Sequence, residues 1–271
     1  MIAIPGNSGS RIEVVERDGA LRVVKTFPPD HEKRMISQAR KMGRPLPAGI
    51  RFPIVLEVDQ GAGRIVMDYV PGDDMVSLAS WSAPSRFQWA MSEVSSWVVS
   101  SISVCSHAPF PRDRWREKIL SVVSATAAQS PDLHDPVSRL ASAMSDFSPA
   151  MVQTGWCHGD LSLSNMIVEA DRVCLIDPID APIDTPIEDA AKLLLDLDTC
   201  WSLSRCGLSV DDVKVRIRFQ RAAAEIRDRL THLVEPRTVE MFRRMCLIRM
   251  APYCQDDSSV SFMKREIGAL L

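Results

Sequence analysis

Two short apolar runs in the middle of the chain, Met166–Glu169 and Arg172–Ile176, are separated by two residues and predict a β-hairpin. Asp160 and Asn165 precede the first run, and Asp177 ends the second. A carboxylate, an amide five residues later and a second carboxylate after the next strand form the most constraining pattern of the sequence. Any fold of this chain has to place these polar side chains around one hairpin.

This set of oxygen-bearing side chains is typical of phosphoryl transfer. Transfer from a nucleotide requires metal ions that bridge the phosphates and a carboxylate that orients the attacking hydroxyl and accepts its proton. Magnesium prefers hard oxygen ligands, which Asp and Asn supply. The pattern therefore predicts Asp160 as the catalytic base and Asn165 and Asp177 as Mg²⁺ ligands.

The motif also resembles a known family. Residues 158–165, His-Gly-Asp-Leu-Ser-Leu-Ser-Asn, and the pair Ile176-Asp177 are similar to the H-G-D-x-x-x-x-N and I-D signatures of aminoglycoside phosphotransferases and choline kinases. The resemblance implies an α+β, two-lobed protein-kinase-like fold with the active site in the cleft, and ATP and Mg²⁺ as cofactors. It also implies that His158 supports the catalytic loop.

The pattern of secondary structure agrees with such a fold. Strands are predicted at Arg11–Glu16 and Leu21–Phe27 around an Asp-Gly turn, and a helix is predicted at His31–Met42. Helical spacing dominates after the hinge that follows residue 70. We therefore predict a nucleotide-binding lobe at residues 1–70 and a helical, substrate-binding lobe at residues 71–271.

Several residues of the first lobe are candidates for nucleotide contacts. Lys25 resembles the third-strand lysine that contacts the α- and β-phosphates, and Asp68-Tyr69-Val70 resembles the hinge strand that pairs with adenine. A Gly/Ser-rich loop is predicted to present backbone N–H groups to phosphates. Its candidate residues are Gly6, Ser8, Gly9 and Ser10.

The partner of Lys25 is left open by the sequence. Kinases usually pair this lysine with a Glu on the next helix, but this helix offers Glu32 near its start and Gln38 in its middle. A Glu in the first turn favours the helix dipole and has a role as a cap. Gln38 is better spaced, but it would orient Lys25 by a hydrogen bond instead of an ion pair.

The segment after Asp177 carries further acids. It resembles a bacterial subgroup of these phosphotransferases associated with capsule or surface-polysaccharide genes, as does Arg249–Tyr253. The resemblance implies that Asp189 buttresses the catalytic loop. Asp180 and Asp184 are candidates for substrate contacts, with solvated loop acids as the alternative.

The acceptor is predicted to be a small molecule. Eukaryotic-type protein kinases carry a long activation segment after the metal-binding Asp, whereas eleven residues separate Asp177 from Asp189 here. We expect a sugar or sugar-derived acceptor. The alternatives are an aminoglycoside or choline-type kinase, or a nucleotide-binding pseudokinase with a regulatory role.

Composition restricts the partners and the compartment. A net charge of −3 gives no electrostatic case for nucleic acid. No apolar stretch approaches the roughly 20 residues of a membrane span, and the N-terminus does not resemble a signal peptide. Seven cysteines without C-x-x-C spacing favour reduced thiols and a cytoplasmic location. The sequence does not indicate an oligomeric state.

Overall fold

A computed structural model of the chain describes residues 2–5, 9–145, 148–206 and 210–271. The fold is α+β, as predicted. The chain divides into two compact units. The first unit is Met1–Trp97, His158–Asp180 and Cys206–Val215, and the second is Val98–Cys157, Ala181–Arg205 and Arg216–Leu271. The lobe boundary at residue 70 stays a prediction.

The described part of the chain contains short strands and longer helices. The strands are β1 (Ile2–Pro5), β2 (Arg11–Arg17), β3 (Ala20–Thr26), β4 (Ile50–Arg51), β5 (Val55–Asp59), β6 (Arg64–Asp68), β7 (Asp73–Asp74), β8 (Ser106–Pro109), β9 (Met151–Thr154), β10 (Met166–Val168) and β11 (Val173–Leu175). The helices are α1 (Glu32–Met42), α2 (Met75–Trp81), α3 (Pro84–Ser103), α4 (Arg112–Gln129), α5 (His134–Ser145), α6 (Pro186–Thr199), α7 (Trp201–Ser204), α8 (Asp212–Leu230), α9 (Pro236–Met250) and α10 (Asp257–Gly268).

The larger sheet of the first unit is antiparallel, in the order β1-β2-β3-β6-β5. Asp18 and Gly19 join β2 to β3 with φ values of 52° and 72°. Two consecutive left-handed residues are what a two-residue type I′ hairpin turn requires, and Asp-Gly is a preferred pair for it. The predicted hairpin is therefore confirmed, and it places Lys25 on the central strand β3.

A second, smaller sheet in the first unit has the order β4-β11-β10-β7. The predicted hairpin β10–β11 is confirmed, with Met166 opposite Leu175. The flanking strands β4 and β7 have two residues each, which is too short for a detectable alternation. Sequence periodicity therefore could not find them.

Helix α1 packs against β5 and β6 in the first unit. It begins at Glu32, one residue after the predicted start, because a turn of 3₁₀ helix covers Pro29–His31. Its buried residues include apolar Met35 and Met42. The other buried side chains of α1 are polar: Ser37, Gln38 and Lys41.

The second unit is mainly helical. Helix α6 packs against α9, and the rings of Trp115 and Phe242 meet edge to face with centroids 5.3 Å apart. Helix α6 begins behind Thr185, whose Oγ1 accepts the Ile187 N–H at 3.2 Å as an N-cap.

No described helix combines the length and hydropathy needed to cross a membrane. All seven cysteines lie in the described part of the chain, and none forms a disulfide.

Candidate active site

The loop that leads to Asp160 lies so close to the backbone of Ile179 that there is no room for a side chain at position 159. Gly159 has a φ of 88°, and a Cβ atom there would lie 2.2 Å from the carbonyl oxygen of Ile179. Glycine adopts this left-handed conformation without a steric cost. The Ile179 N–H also donates to the His158 carbonyl at 2.9 Å. The glycine thus allows the segment around Ile179 to close directly over the loop.

Asp160 and Asn165 are in direct contact. The Asn165 Nδ2 group donates to the Asp160 backbone carbonyl at 2.8 Å and to its Oδ2 atom at 3.3 Å. Because both partners are acceptors, the amide must present its NH₂ group to Asp160. Its carbonyl oxygen, Oδ1, therefore points elsewhere and has no hydrogen-bond partner among the described residues.

Asp177 is brought to the same loop by the hairpin. The Ile176 N–H donates to the Asn165 carbonyl at 2.9 Å, and the Ile176 carbonyl lies 2.9 Å from the His158 ring. Asp177 follows directly with a φ of 60°, a left-handed conformation that Asp tolerates better than most residues. The backbone of the hairpin thus places Asp177 next to the loop that carries Asp160 and Asn165.

Lys25 extends from β3 to the side chain of Asp177. Its side chain is 2% exposed, and its ammonium group forms an ion pair with Asp177 Oδ1. Burial lowers the pKa of Lys25, and the carboxylate of Asp177 opposes this effect. The sequence predicted Lys25 as a phosphate ligand, but its contact with Asp177 joins residues 152 positions apart and was not predicted.

The polar side chains of α1 meet the segment that follows Asp177. Gln38 donates to Asp177 Oδ1 at 3.1 Å and to the Pro178 carbonyl at 3.0 Å. Ser37 donates to Asp180, and Lys41 donates to the carbonyl of Ile179. Sequence reasoning missed these contacts. Polar residues on the buried face of an amphipathic helix were the available signal.

Glu32 is the second candidate for the residue that supports Lys25. Glu32 is exposed in the first turn of α1. Neither Gln38 nor Glu32 contacts the Lys25 ammonium group in the described structure. Which of them supports Lys25 therefore stays a prediction.

His158 is fully buried beneath this loop and is held in one tautomer. Its Nδ1 atom accepts the Asp160 N–H at 3.3 Å, so Nε2 carries the proton and donates to the Ile176 carbonyl. The ring stacks on Phe52 with centroids 6.1 Å apart. Burial lowers the pKa of His158 to about 4, with the Asp160 charge as the main opposing effect. The neutral imidazole thus links the Asp160 N–H to the Ile176 carbonyl through its two ring nitrogens.

We expect this buried imidazole to make the fold sensitive to acid. The unfolded chain binds a proton at His158 near pH 6.5, whereas the folded chain binds it only near pH 4. The contribution of His158 is thus fully present above pH 6.5 and is lost as the pH falls to about 4. We expect a loss of about 3 kcal/mol in the free energy of unfolding over this window.

Urea unfolding of the parent and of His158→Gln between pH 7.5 and 4.5 measures this effect. The parent should lose stability more steeply than the variant, because other acidic groups titrate equally in both. Parallel stability curves for the two proteins would contradict the assignment.

An arginine joins the predicted hinge strand to the β10–β11 hairpin. Arg51 on β4 binds both carboxylate oxygens of Glu169, at 2.6 and 2.9 Å, and one oxygen of Asp68 at 3.0 Å. The Asp68 carboxylate is therefore engaged within the protein. Tyr69 is exposed there, and Val70 is buried.

The remaining predicted residues are placed as follows. Gly6 and Ser8 lie outside the described residues. Gly9 is exposed with a φ of 75°, and Ser10 is buried with no described hydrogen-bond partner for its hydroxyl. In the first unit, Asp180 is exposed and accepts the Ser37 hydroxyl at 2.5 Å. In the second unit, Asp184 is exposed, and Asp189 is buried in the first turn of α6.

Comparison with solved structures identifies the fold. The chain superposes on a thermostable mutant of aminoglycoside phosphotransferase APH(4)-Ia in a ternary complex with ADP and hygromycin B, with a TM-score of 0.62, 13% identity and coverage of 99% of this chain and 92% of that chain. For APH(3'')-Id from Streptomyces rimosus ATCC10970 the TM-score is 0.56 and the identity 21%, over 90% and 94% of the two chains. For a glucosamine kinase in complex with glucosamine, ADP and inorganic phosphate, the TM-score is 0.57 and the identity 14%, over 96% of this chain and 79% of that chain.

These likenesses show the protein-kinase-like fold. No curated protein matches the chain. The model of the phosphotransferase enzyme family, APH, matches residues 3–230, which is most of the sequence. The chain therefore belongs to the phosphotransferase enzyme family, and it is an ATP-dependent enzyme that phosphorylates a hydroxyl group of a small molecule.

Proposed function

We propose that this enzyme transfers the γ-phosphoryl group of ATP, in the presence of Mg²⁺, to a hydroxyl group of a sugar or a sugar-derived metabolite. The observation that carries the proposal is the contact between Asn165 and Asp160. One amide holds the candidate base through its NH₂ group and directs its own oxygen away from it. A base and a metal ligand are thereby fixed relative to each other.

The residues at the site fit a magnesium ion. Asn165 Oδ1 and Asp177 Oδ2 are oxygen atoms without a hydrogen-bond partner among the described residues. No three His, Cys, Asp or Glu side chains converge into a metal cage in the described chain. Magnesium bound to nucleotide phosphates needs only one or two protein carboxylates and keeps several waters. When bound, Mg²⁺ would neutralise charge on the β- and γ-phosphates.

Asp160 is the proposed general base. It is half-buried, and its Oδ2 atom is held by Asn165 at 3.3 Å. A carboxylate fixed in this way can orient an acceptor hydroxyl and take its proton as the oxygen attacks phosphorus. Phosphoryl transfer requires little other covalent chemistry from the protein, so positioning dominates catalysis.

Lys25 is the proposed ligand of the α- and β-phosphates. Its ammonium group is almost completely buried, and a charge in such a place interacts more strongly than one in water. The carboxylate of Asp177 compensates the charge of this buried cation. We assign the nucleotide to residues 1–70, with its base at Tyr69 and Val70, and the acceptor to residues 71–271.

A sugar-type acceptor is favoured by the short segment after Asp177. Helix α6 begins at Pro186, so no long peptide-docking segment separates the metal ligand from the next helix. Among the neighbours, the glucosamine kinase binds an amino sugar, and APH(4)-Ia binds hygromycin B. Asp180 and Asp184 are both exposed acids on this segment and are proposed to contact the acceptor.

The proposed location is the cytoplasm. The cysteines, none of which forms a disulfide, agree with such a reducing compartment.

Release of ADP across a panel of acceptors tests the proposal. The panel compares hexoses, amino sugars and sugar alcohols with hygromycin B, streptomycin and choline at saturating MgATP. We expect at least one sugar-type acceptor to reach a kcat/KM of about 10⁴ M⁻¹s⁻¹ or more. Asp160→Asn, purified in the same way, controls for contaminating kinases. Turnover with choline or aminoglycosides alone would reject the sugar assignment, and nucleotide binding without turnover would indicate a pseudokinase.

A further inference from the structure

The side-chain amide of Gln38 donates to two acceptors of the segment that begins at Asp177. The side chain is 1% exposed, and its Nε2 atom lies 3.1 Å from Asp177 Oδ1 and 3.0 Å from the Pro178 carbonyl oxygen. Both neighbours are hydrogen-bond acceptors, so the group between them must be a donor. A carboxylate at this position would face two acceptors and lose both hydrogen bonds.

The other end of the amide supports this orientation. Gln38 Oε1 is buried and has no hydrogen-bond partner among the described residues. Leaving a buried acceptor unpaired costs about 1–3 kcal/mol. Turning the amide around would be worse, because it would place Oε1 against two acceptors. The two contacts of the NH₂ group therefore determine how Gln38 is oriented.

The hydrogen bonds to Asp177 all converge on one of its two oxygens. Oδ1 receives the Lys25 ammonium group and the Gln38 amide, whereas Oδ2 receives no hydrogen bond from the described residues. A carboxylate anchored through one oxygen has a fixed orientation and offers the other oxygen in a fixed direction. Metal ligands are commonly oriented in this way by neighbouring groups.

We propose that Gln38 is a positioning residue for Asp177, which it anchors through Oδ1 so that Oδ2 faces the magnesium ion. This inference rests on the proposed function of Asp177 as a metal ligand. It gives Gln38 a role that differs from the lysine-pairing Glu of other kinases. Glu at this position would lie about 3 Å from the Asp177 carboxylate, and like charges so close cannot both remain ionised without moving apart.

Helix α1 provides a rigid base for this anchor. Ser37 and Lys41 lie on the same helix and hold Asp180 and the Ile179 carbonyl. The helix thus contacts the segment at several consecutive positions, but only Gln38 contacts the metal-binding side chain. Substitution of Lys41 therefore serves as the matched control for substitution of Gln38.

The experiment titrates Mg²⁺ into each protein at a fixed, saturating ADP concentration, with calorimetric detection. A parallel ADP titration in EDTA measures nucleotide binding without metal. We expect Gln38→Met to lower the magnesium affinity about 10- to 100-fold, the range seen when a group that orients a metal ligand is lost. Nucleotide affinity in EDTA should be unchanged. Met has a similar size and also removes the unpaired Oε1, so the variant should fold.

Further variants separate the possible explanations. We expect Lys41→Met, which removes the neighbouring contact of α1, to keep the parent's magnesium affinity. We expect Gln38→Leu, which also removes the donor and cannot regain one by protonation, to behave like Gln38→Met. Parent-like magnesium affinity in either Gln38 variant, or an equal loss in Lys41→Met, would overturn the inference. Parent-like affinity in Asp177→Asn would instead reject the proposed metal ligand itself.

Discussion

Replacing Asp160 with Asn is expected to reduce turnover by about two to four orders of magnitude, as for the loss of a general base. The variant cannot accept the acceptor's proton, but it keeps the size of the side chain. The oxygen of the new amide can still accept the hydrogen bond from Asn165, and the bond between Asn165 and the backbone carbonyl is unaffected. The loop should therefore keep its conformation.

A measurement of nucleotide affinity distinguishes loss of the general base from disruption of the nucleotide site. We expect Asp160→Asn to bind ADP and Mg²⁺ with the parent's affinity, measured by calorimetry, while the steady-state rate falls. Asp171→Asn is the matched control, because Asp171 is an exposed aspartate in the turn of the same hairpin. It should keep full activity. Undiminished turnover in Asp160→Asn would reject the role of Asp160.

Replacing Asp177 with Asn is expected to weaken Mg²⁺ binding by about 100-fold or more, beyond the range for an orienting neighbour. Asn removes the negative charge but keeps an oxygen that can accept from Lys25 and Gln38. It also tolerates the left-handed backbone at this position, where φ is 60°. Ala would add backbone strain there and remove the partner of a buried lysine. Asn therefore removes the charge of Asp177, which also compensates Lys25, with the least change to the backbone.

Calorimetric titration of ADP with and without Mg²⁺ measures this loss. The parent should bind ADP more tightly with magnesium, and Asp177→Asn should show little difference between the two conditions. A melting curve for each protein verifies that the fold is retained. An unchanged magnesium dependence in the variant would contradict the assignment of Asp177.

The elements around the catalytic hairpin illustrate what local patterns encode. The β10–β11 hairpin and the Asp18-Gly19 turn were predicted because their signals lie within a few neighbouring residues. The motif from His158 to Asn165 was equally readable, since one loop carries it. The two-residue strand β4 left no such signal, because its pairing with β11 joins distant parts of the chain.

Contacts between distant segments account for what the sequence left open. It left open whether Glu32 or Gln38 supports Lys25, and it did not indicate what else either residue contacts. The structure places Gln38 against Asp177, 139 positions away, and leaves Glu32 exposed. Likewise, the ion pair that Arg51 forms with the carboxylate of Asp68 was not predicted from the sequence.

By itself, the sequence determined the hairpin, the motif from His158 to Asn165 and the α+β character of the chain, because turn residues and apolar periodicity act over short distances. Only the tertiary structure decided that Lys25 and Gln38 converge on one oxygen of Asp177. Such a contact depends on how a strand, a helix and a loop pack together, and the local pattern of residues does not say which distant segment a buried polar side chain meets.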